Sequence, residues 1–264
     1  MKTIKIALIF FLCTFVAQAQ KTYKHSLSGI KKVKIYTDTG VDLSVGNTNE
    51  LIISNSKTGH QHKTDDHTNK SRKDKAKGLK ALYSKGDDNT GIGFEITKDG
   101  STLIVKDLES FMKRSGFKMK VSKNVEVYLN CGNLGHAKVN GITSEIEVKT
   151  NVGHIDLKNI TGPATVRTNT GNITAIFTSV NQSNPVSLST ATGDVDVSLP
   201  TNTKADLSLK STMGTVYTDF NFKVEKSKGL NPLGNPKKIT TKLNNGGVHI
   251  SLKSTTGNVY LRKK

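Results

Sequence analysis

The carboxylates come first, because paired acids can do chemistry. Asp194 and Asp196 stand two residues apart, Asp156 falls at an equivalent place in a neighbouring repeat, and Glu145 and Glu147 form a similar pair. Glycoside hydrolysis needs two carboxyl groups facing one cleft, about 5 to 9 Å apart. No cluster of His, Arg or Tyr accompanies these acids at the spacing such a cleft needs, so they read as solubilising charges on a wet sheet face. The chain has no Trp for stacking on sugar rings, although Tyr217 and Tyr260 occupy equivalent outward positions and offer an alternative platform. His60, His62 and His67, with Asp65 and Asp66, are of types that ligate zinc or copper, but their spacing matches no established site and they read as a solvated loop. The sequence has no Gly-x-Ser-x-Gly, phosphate-binding glycine loop or Cys-His pair at interpretable spacing. The expectation is a protein with no catalytic residue, metal or cofactor. A carbohydrate-active β-helix enzyme is the rival reading, and a purely structural envelope component is the third.

The basic residues support a binding role. Lysine and arginine number 39 against 21 acids, a formal charge of +18. Lys149, Arg167, Lys210 and Lys253 each stand four residues before a repeated glycine, and Ser189 takes that place in another copy. If the copies stack, these residues form an outward basic column suited to an anionic polysaccharide or another envelope polyanion, or to nucleic acid, though no specific nucleic-acid motif is present. A second candidate is the C-terminal end. Residues 223–264 hold 10 basic side chains and 1 acidic, whereas residues 130–222 hold 6 and 7. That end contributes Lys226, Lys228, Lys237, Lys238, Arg262, Lys263 and Lys264. If it is the contact, neutralising those residues flattens the salt dependence of binding more than neutralising Lys149, Arg167 and Lys210.

The element that must position these residues is a repeat of about twenty residues, Ser/Thr-x-x-Gly-x-Ile/Val. Its glycines are Gly153, Gly171, Gly193, Gly214 and Gly257, with a weaker copy at Gly135 and a phase-slipped one at Gly40. Apolar residues alternate on both sides, as in Val186 and Leu188 before Gly193 and Val195 and Val197 after it, so each copy predicts strand, tight turn, strand. Such units fit two architectures: a parallel β-solenoid (β-helix) with coils of about 20 residues, or an antiparallel β-sandwich. Three residues before the glycines stand Thr150, Thr168, Thr190, Ser211 and Ser254, a hydroxyl column that stacked turns can use and independent sandwich turns cannot. The all-β solenoid is therefore favoured. In sequence order its last strand would end in Arg262-Lys263-Lys264, charges that discourage edge pairing.

Compartment and boundaries follow from the remaining composition. Lys2 and Lys5 precede the apolar run Ile6 to Val16, and Ala17-Gln18-Ala19 supplies small residues, so residues 1–19 read as a signal peptide. Residues 20–264 read as one domain, exported to the periplasm, cell surface or medium. Polar insertions are expected at about 57–90, with a short helix near Leu79 to Tyr83, and at 223–238, with an extra half coil at Ile239 to Leu243. Cleavage leaves Cys131 as the single thiol, which excludes an internal disulfide.

The signal peptide, the stretch Gly86-Asp87-Asp88-Asn89-Thr90-Gly91-Ile92-Gly93 and the coils from Asn124 to Phe220 resemble the bacterial putative-adhesin family of secreted β-helical proteins, frequent in Bacteroidetes. Gly246 to Arg262 looks like that family's last coil. The resemblance implies an exported, non-catalytic surface or envelope interaction protein, and its motif is structural, so it transfers no site residue.

Overall fold

The computed structural model describes residues 22–55, 75, 77–109, 116–222 and 237–264. Among these residues the fold is β, with twenty strands in two ten-stranded sheets. Sheet I runs β1 (Thr22–Ser26), β4 (Glu50–Asn55), β7 (Phe117–Val121), β3 (Val41–Val45), β9 (Ala137–Asn140), β11 (Ile155–Ile160), β13 (Ile173–Phe177), β15 (Val195–Leu199), β20 (Val259–Lys263), β17 (Val216–Thr218). Sheet II runs β5 (Phe94–Asp99), β6 (Thr102–Asp107), β2 (Lys32–Tyr36), β8 (Glu126–Asn130), β10 (Ile146–Val152), β12 (Ala164–Thr170), β14 (Val186–Thr192), β19 (Val248–Thr256), β16 (Ala205–Ser211), β18 (Lys237–Leu243). Pairing is parallel through the body of both sheets. Antiparallel pairs are confined to the flanks, at β1 with β4, β4 with β7, β5 with β6, and β16 with β18. The antiparallel sandwich does not describe this arrangement.

Each repeat lays its first strand in sheet II, turns at its glycine and lays its second strand in sheet I. Period-two alternation then sends one set of side chains between the sheets. Val148, Val166, Leu188, Leu252 and Leu209 stack along the inner face of sheet II, opposite Leu157, Ala175, Val197 and Leu261 of sheet I, and all are buried. Each large aliphatic side chain so placed stabilises the fold by about 2 kcal/mol.

The units do not stack in sequence order. The C-terminal pair β19 and β20 lies between β14/β15 and β16/β17, and the N-terminal pair β2 and β3 lies between β6/β7 and β8/β9. Two expectations change as a result. Arg262, Lys263 and Lys264 do not close the last strand of a sheet, because β20 is interior to sheet I, with β15 along its whole length on one side and β17 against Val259–Leu261 on the other. Ile239 to Leu243 is no half coil: it belongs to β18, which closes sheet II antiparallel to β16. Alternation without a repeat glycine permits that, since such a strand has no turn to carry it across to the other sheet.

The insertions differ too. Residues 77–90 form turns and an isolated bridge between Tyr83 and Gly86 rather than a helix near Leu79 to Tyr83. His60, His62, His67, Asp65, Asp66 and residues 1–19, where a signal peptide is expected, fall outside the described residues. No helix among the described residues is long and apolar enough to cross a membrane.

Candidate polyanion-binding face

The turns set the registration of everything outside them. The hydroxyl column forms as expected: Thr150 Oγ1 donates to the carbonyl of Gly135 (2.8 Å), Thr168 to Gly153 (3.2 Å), Thr190 to Gly171 (2.9 Å), Ser254 to Gly193 (2.7 Å) and Ser211 to Gly257 (2.7 Å). Every hydroxyl thus bonds the glycine of the adjacent unit. The glycines are required by close approach rather than by one backbone angle. A Cβ on Gly171 or Gly193 would run into the glycine carbonyl oxygen of the adjacent unit, and the same holds for Gly153 and Gly214, which lack a positive φ.

Two further columns escaped sequence reasoning. One residue after each glycine, a side chain accepts the next backbone N–H. Nδ1 of His136 accepts from His154, Nδ1 of His154 from Asn172, Asn172 Oδ1 from Asp194, Asp194 Oδ1 from Asn258, and Asn258 Oδ1 from Thr215. The two rings stack 5.7 Å apart, and the tautomer with the proton on Nε2 follows from these bonds. Two residues before the glycine, Asn169 Nδ2 donates to Asn151 (2.6 Å) and Asn151 Nδ2 to Asn133 (3.4 Å). The signal was present, as a run of amides and imidazoles at fixed offsets from the glycines.

These bonds account for the acids. Asp194 is engaged in the turn column, where its Oδ1 accepts the Asn258 N–H. Asp196 is held by Arg262 in a bidentate pair, Nε at 2.7 Å and Nη2 at 2.9 Å. The pairing and the nearby Tyr260 hold the Arg262 guanidinium above its ordinary pKa. Tyr217 and Tyr260 do lie side by side, stacked 5.3 Å apart, with Arg262 over the Tyr260 ring. Cys131 is buried, and burial pushes its thiol up to about 12, so it is inert as a nucleophile.

On the outer face of sheet II the basic column is assembled. Register places Asn130, Lys149, Arg167, Ser189, Lys253, Lys210 and Lys238 in one row. The order differs from the chain because β19 is inserted before β16, and β18 adds Lys238. Arg167, Lys253, Lys210 and Lys238 make no ion pair among the described residues. Lys149 instead meets Tyr128, its Nζ 4.8 Å from the ring centre, and the Tyr128 hydroxyl raises its pKa, so it stays charged. Beside the column runs a row of hydroxyls, Thr165, Ser187, Ser251, Ser208 and Thr240.

The C-terminal basic set, in contrast, is divided. Lys237 and Lys238 sit on β18 of sheet II, Arg262 and Lys263 on β20 of sheet I, and Lys226 and Lys228 fall outside the described residues. Lys263 lies over the Phe220 ring, 5.7 Å from its centre, and the backbone N–H of Lys264 bonds Leu199. The described members do not form one patch.

The profile of the Toastrack DUF4097 family matches residues 92–262, about two thirds of the chain. The chain belongs to this family. In the Toastrack DUF4097 chain the match spans β5 to β20, including the interleaved last unit, while β1 to β4 precede it. A comparison with curated proteins finds no match. Among solved structures, this Toastrack chain is similar to a putative cell adhesion protein from Clostridium sporogenes, at 13% identity and TM-score 0.46, covering 93% of this chain and 100% of that one. It is also similar to a putative adhesin from Bacteroides fragilis, at 12% identity and TM-score 0.39, covering 94% and 98%.

Proposed function

We propose that this protein is an exported, non-catalytic envelope interaction protein of the adhesin type, built as a parallel β-solenoid of coils of about twenty residues, that binds a linear anionic polysaccharide along the outer face of sheet II. The observation that carries the reading is the column Lys149, Arg167, Lys253, Lys210, Lys238, whose members after Lys149 have no acidic partner among the described residues, beside a row of hydroxyls. Cations without partners attract a polyanion and release its counterions on binding, while hydroxyls exchange hydrogen bonds with sugar hydroxyls. The engagement of Asp194 in a turn and of Asp196 by Arg262 supports a role without acid–base chemistry.

Binding of the purified mature protein to immobilised heparin and to polygalacturonate across a salt series tests the reading. Affinity is expected to fall linearly on logarithmic axes as salt rises. Absence of salt-sensitive binding to either polymer contradicts it, and binding to DNA alone assigns the face to nucleic acid. The export part has its own check: the native protein is expected to begin at Gln20, and an intact Met1 in the mature protein contradicts it.

A further inference from the structure

The basic column is interrupted at Ser189, and the interruption has a shape. Register sets Ser189 between Arg167 and Lys253, two long exposed side chains two strand spacings apart, about 9.6 Å. The short side chain leaves a depression of about 390 Å³, floored by Ser187, Ser189 and Ser251 and walled by Arg167, Lys253 and Asn169. That volume falls in the roughly 300–1,000 Å³ range of small-ligand sites. A second depression of about 470 Å³, reaching from Asn130 past Lys149, shares Arg167 and Asn169 with the first. The two lie side by side along the stack, with Arg167 and Asn169 between them. The side-chain hydroxyls of Ser187, Ser189 and Ser251 make no hydrogen bond among the described residues and are available to a ligand.

We infer that the Ser189 depression seats one ring of an anionic polysaccharide whose carboxylate or sulfate groups are held by Arg167 on one side and Lys253 on the other. This rests on the polyanion reading above and adds to it a place for the sugar itself. The guanidinium of Arg167 presents a planar fork that matches a carboxylate or sulfate with two parallel bonds, and Lys253 supplies a point charge. Serine hydroxyls donate and accept, as sugar hydroxyls do. Charge alone would be served better by a lysine at position 189, since that would make the column continuous. The seat requires the position to stay small.

That contrast gives the test. Short polygalacturonate oligomers and heparin fragments separate carboxylate from sulfate, and linear polyphosphate serves as a polyanion without rings. With the full mature chain, Ser189→Lys is expected to weaken binding of at least one of the two sugar polymers about tenfold, equivalent to about 1.4 kcal/mol, while leaving polyphosphate binding unchanged or tighter. Ser189→Gln, which adds bulk without charge, is expected to weaken sugar binding similarly, and thermal melts show whether each variant is folded. If Ser189→Lys tightens binding of sugar polymer and polyphosphate alike, the seat is overturned and the electrostatic face stands. If the unaltered protein binds none of the three, the face itself is overturned. If it binds polyphosphate alone, the polysaccharide assignment is overturned.

Discussion

The outer faces of the two sheets share one core and one set of turns, yet they carry charge in opposite ways. On sheet I the row Lys118, Asp42, Lys138, Asp156 alternates base with acid, and further along Asp196 is clamped by Arg262. On sheet II the row from Lys149 to Lys238 has cations, one serine and no acid. Alternating charges leave little net field for a partner, whereas like charges held about 4.8 Å apart repel one another. Such a row is a cost to the isolated molecule that the proposed polyanion would relieve. The difference shows that net charge is a poor guide here: residues 130–222 are nearly neutral, with 6 basic and 7 acidic side chains, and still contribute Lys149, Arg167 and Lys210 to the column.

Several changes break or sharpen this contrast, and the largest removes the frame of both faces. Gly193→Ala drives a methyl group into the Gly171 carbonyl and is expected to cost about 3 kcal/mol by urea unfolding. An unchanged midpoint would show that spacing between units is adjustable. Thr190→Val removes one buried bond to that same carbonyl and is expected to cost about 1 kcal/mol in the same measurement, with both faces intact.

A pH effect comes from outside either row. Burial opposes ionisation of Asp88, but N–H groups of Thr90, Gly93 and Gly91 and the Thr90 hydroxyl outweigh it and hold the carboxyl below its ordinary 3.8. Its contribution to stability is therefore present above pH 3.8 and is lost as pH falls through the lower folded value. Asp88→Ala is expected to lower the melting temperature at neutral pH and to match the unaltered protein in strong acid. The smallest effect belongs to sheet I: Arg262→Met breaks an exposed pair, so it is expected to leave both the melting temperature and polyanion binding nearly unchanged.

Much of this contrast was legible in the sequence, because alternation and the repeat glycine assign each residue to a face and a row. Thr150, Thr168 and Thr190, the stacked Tyr217 and Tyr260, and the membership of Lys149, Arg167, Lys210 and Lys253 in one column all follow from offsets to the glycines. The order of the units does not. Every unit presents similar Ile, Val and Leu to its neighbours, so β14 has no local preference for β16 over β19. Insertion of β19 and β20 is a property of the whole chain. It is what sets Arg262 beside Asp196 and takes it out of the basic set, and what puts Lys253 next to Ser189. Lys238 joins the column through its pairing with Lys210, and nothing in an isolated alternating strand announces an antiparallel partner.

The central claim is that location, not net charge, decides binding, and a matched pair of variants tests it most directly. Arg167→Gln with Lys253→Gln removes two cations from sheet II, and Lys118→Gln with Lys138→Gln removes two from sheet I. Binding of each to polygalacturonate and heparin is measured across a salt series. The sheet II variant is expected to lose about tenfold in affinity at low salt and to flatten the salt slope by about 2, while the sheet I variant keeps both. Equal losses in the two variants, or a larger loss on sheet I, would contradict the account.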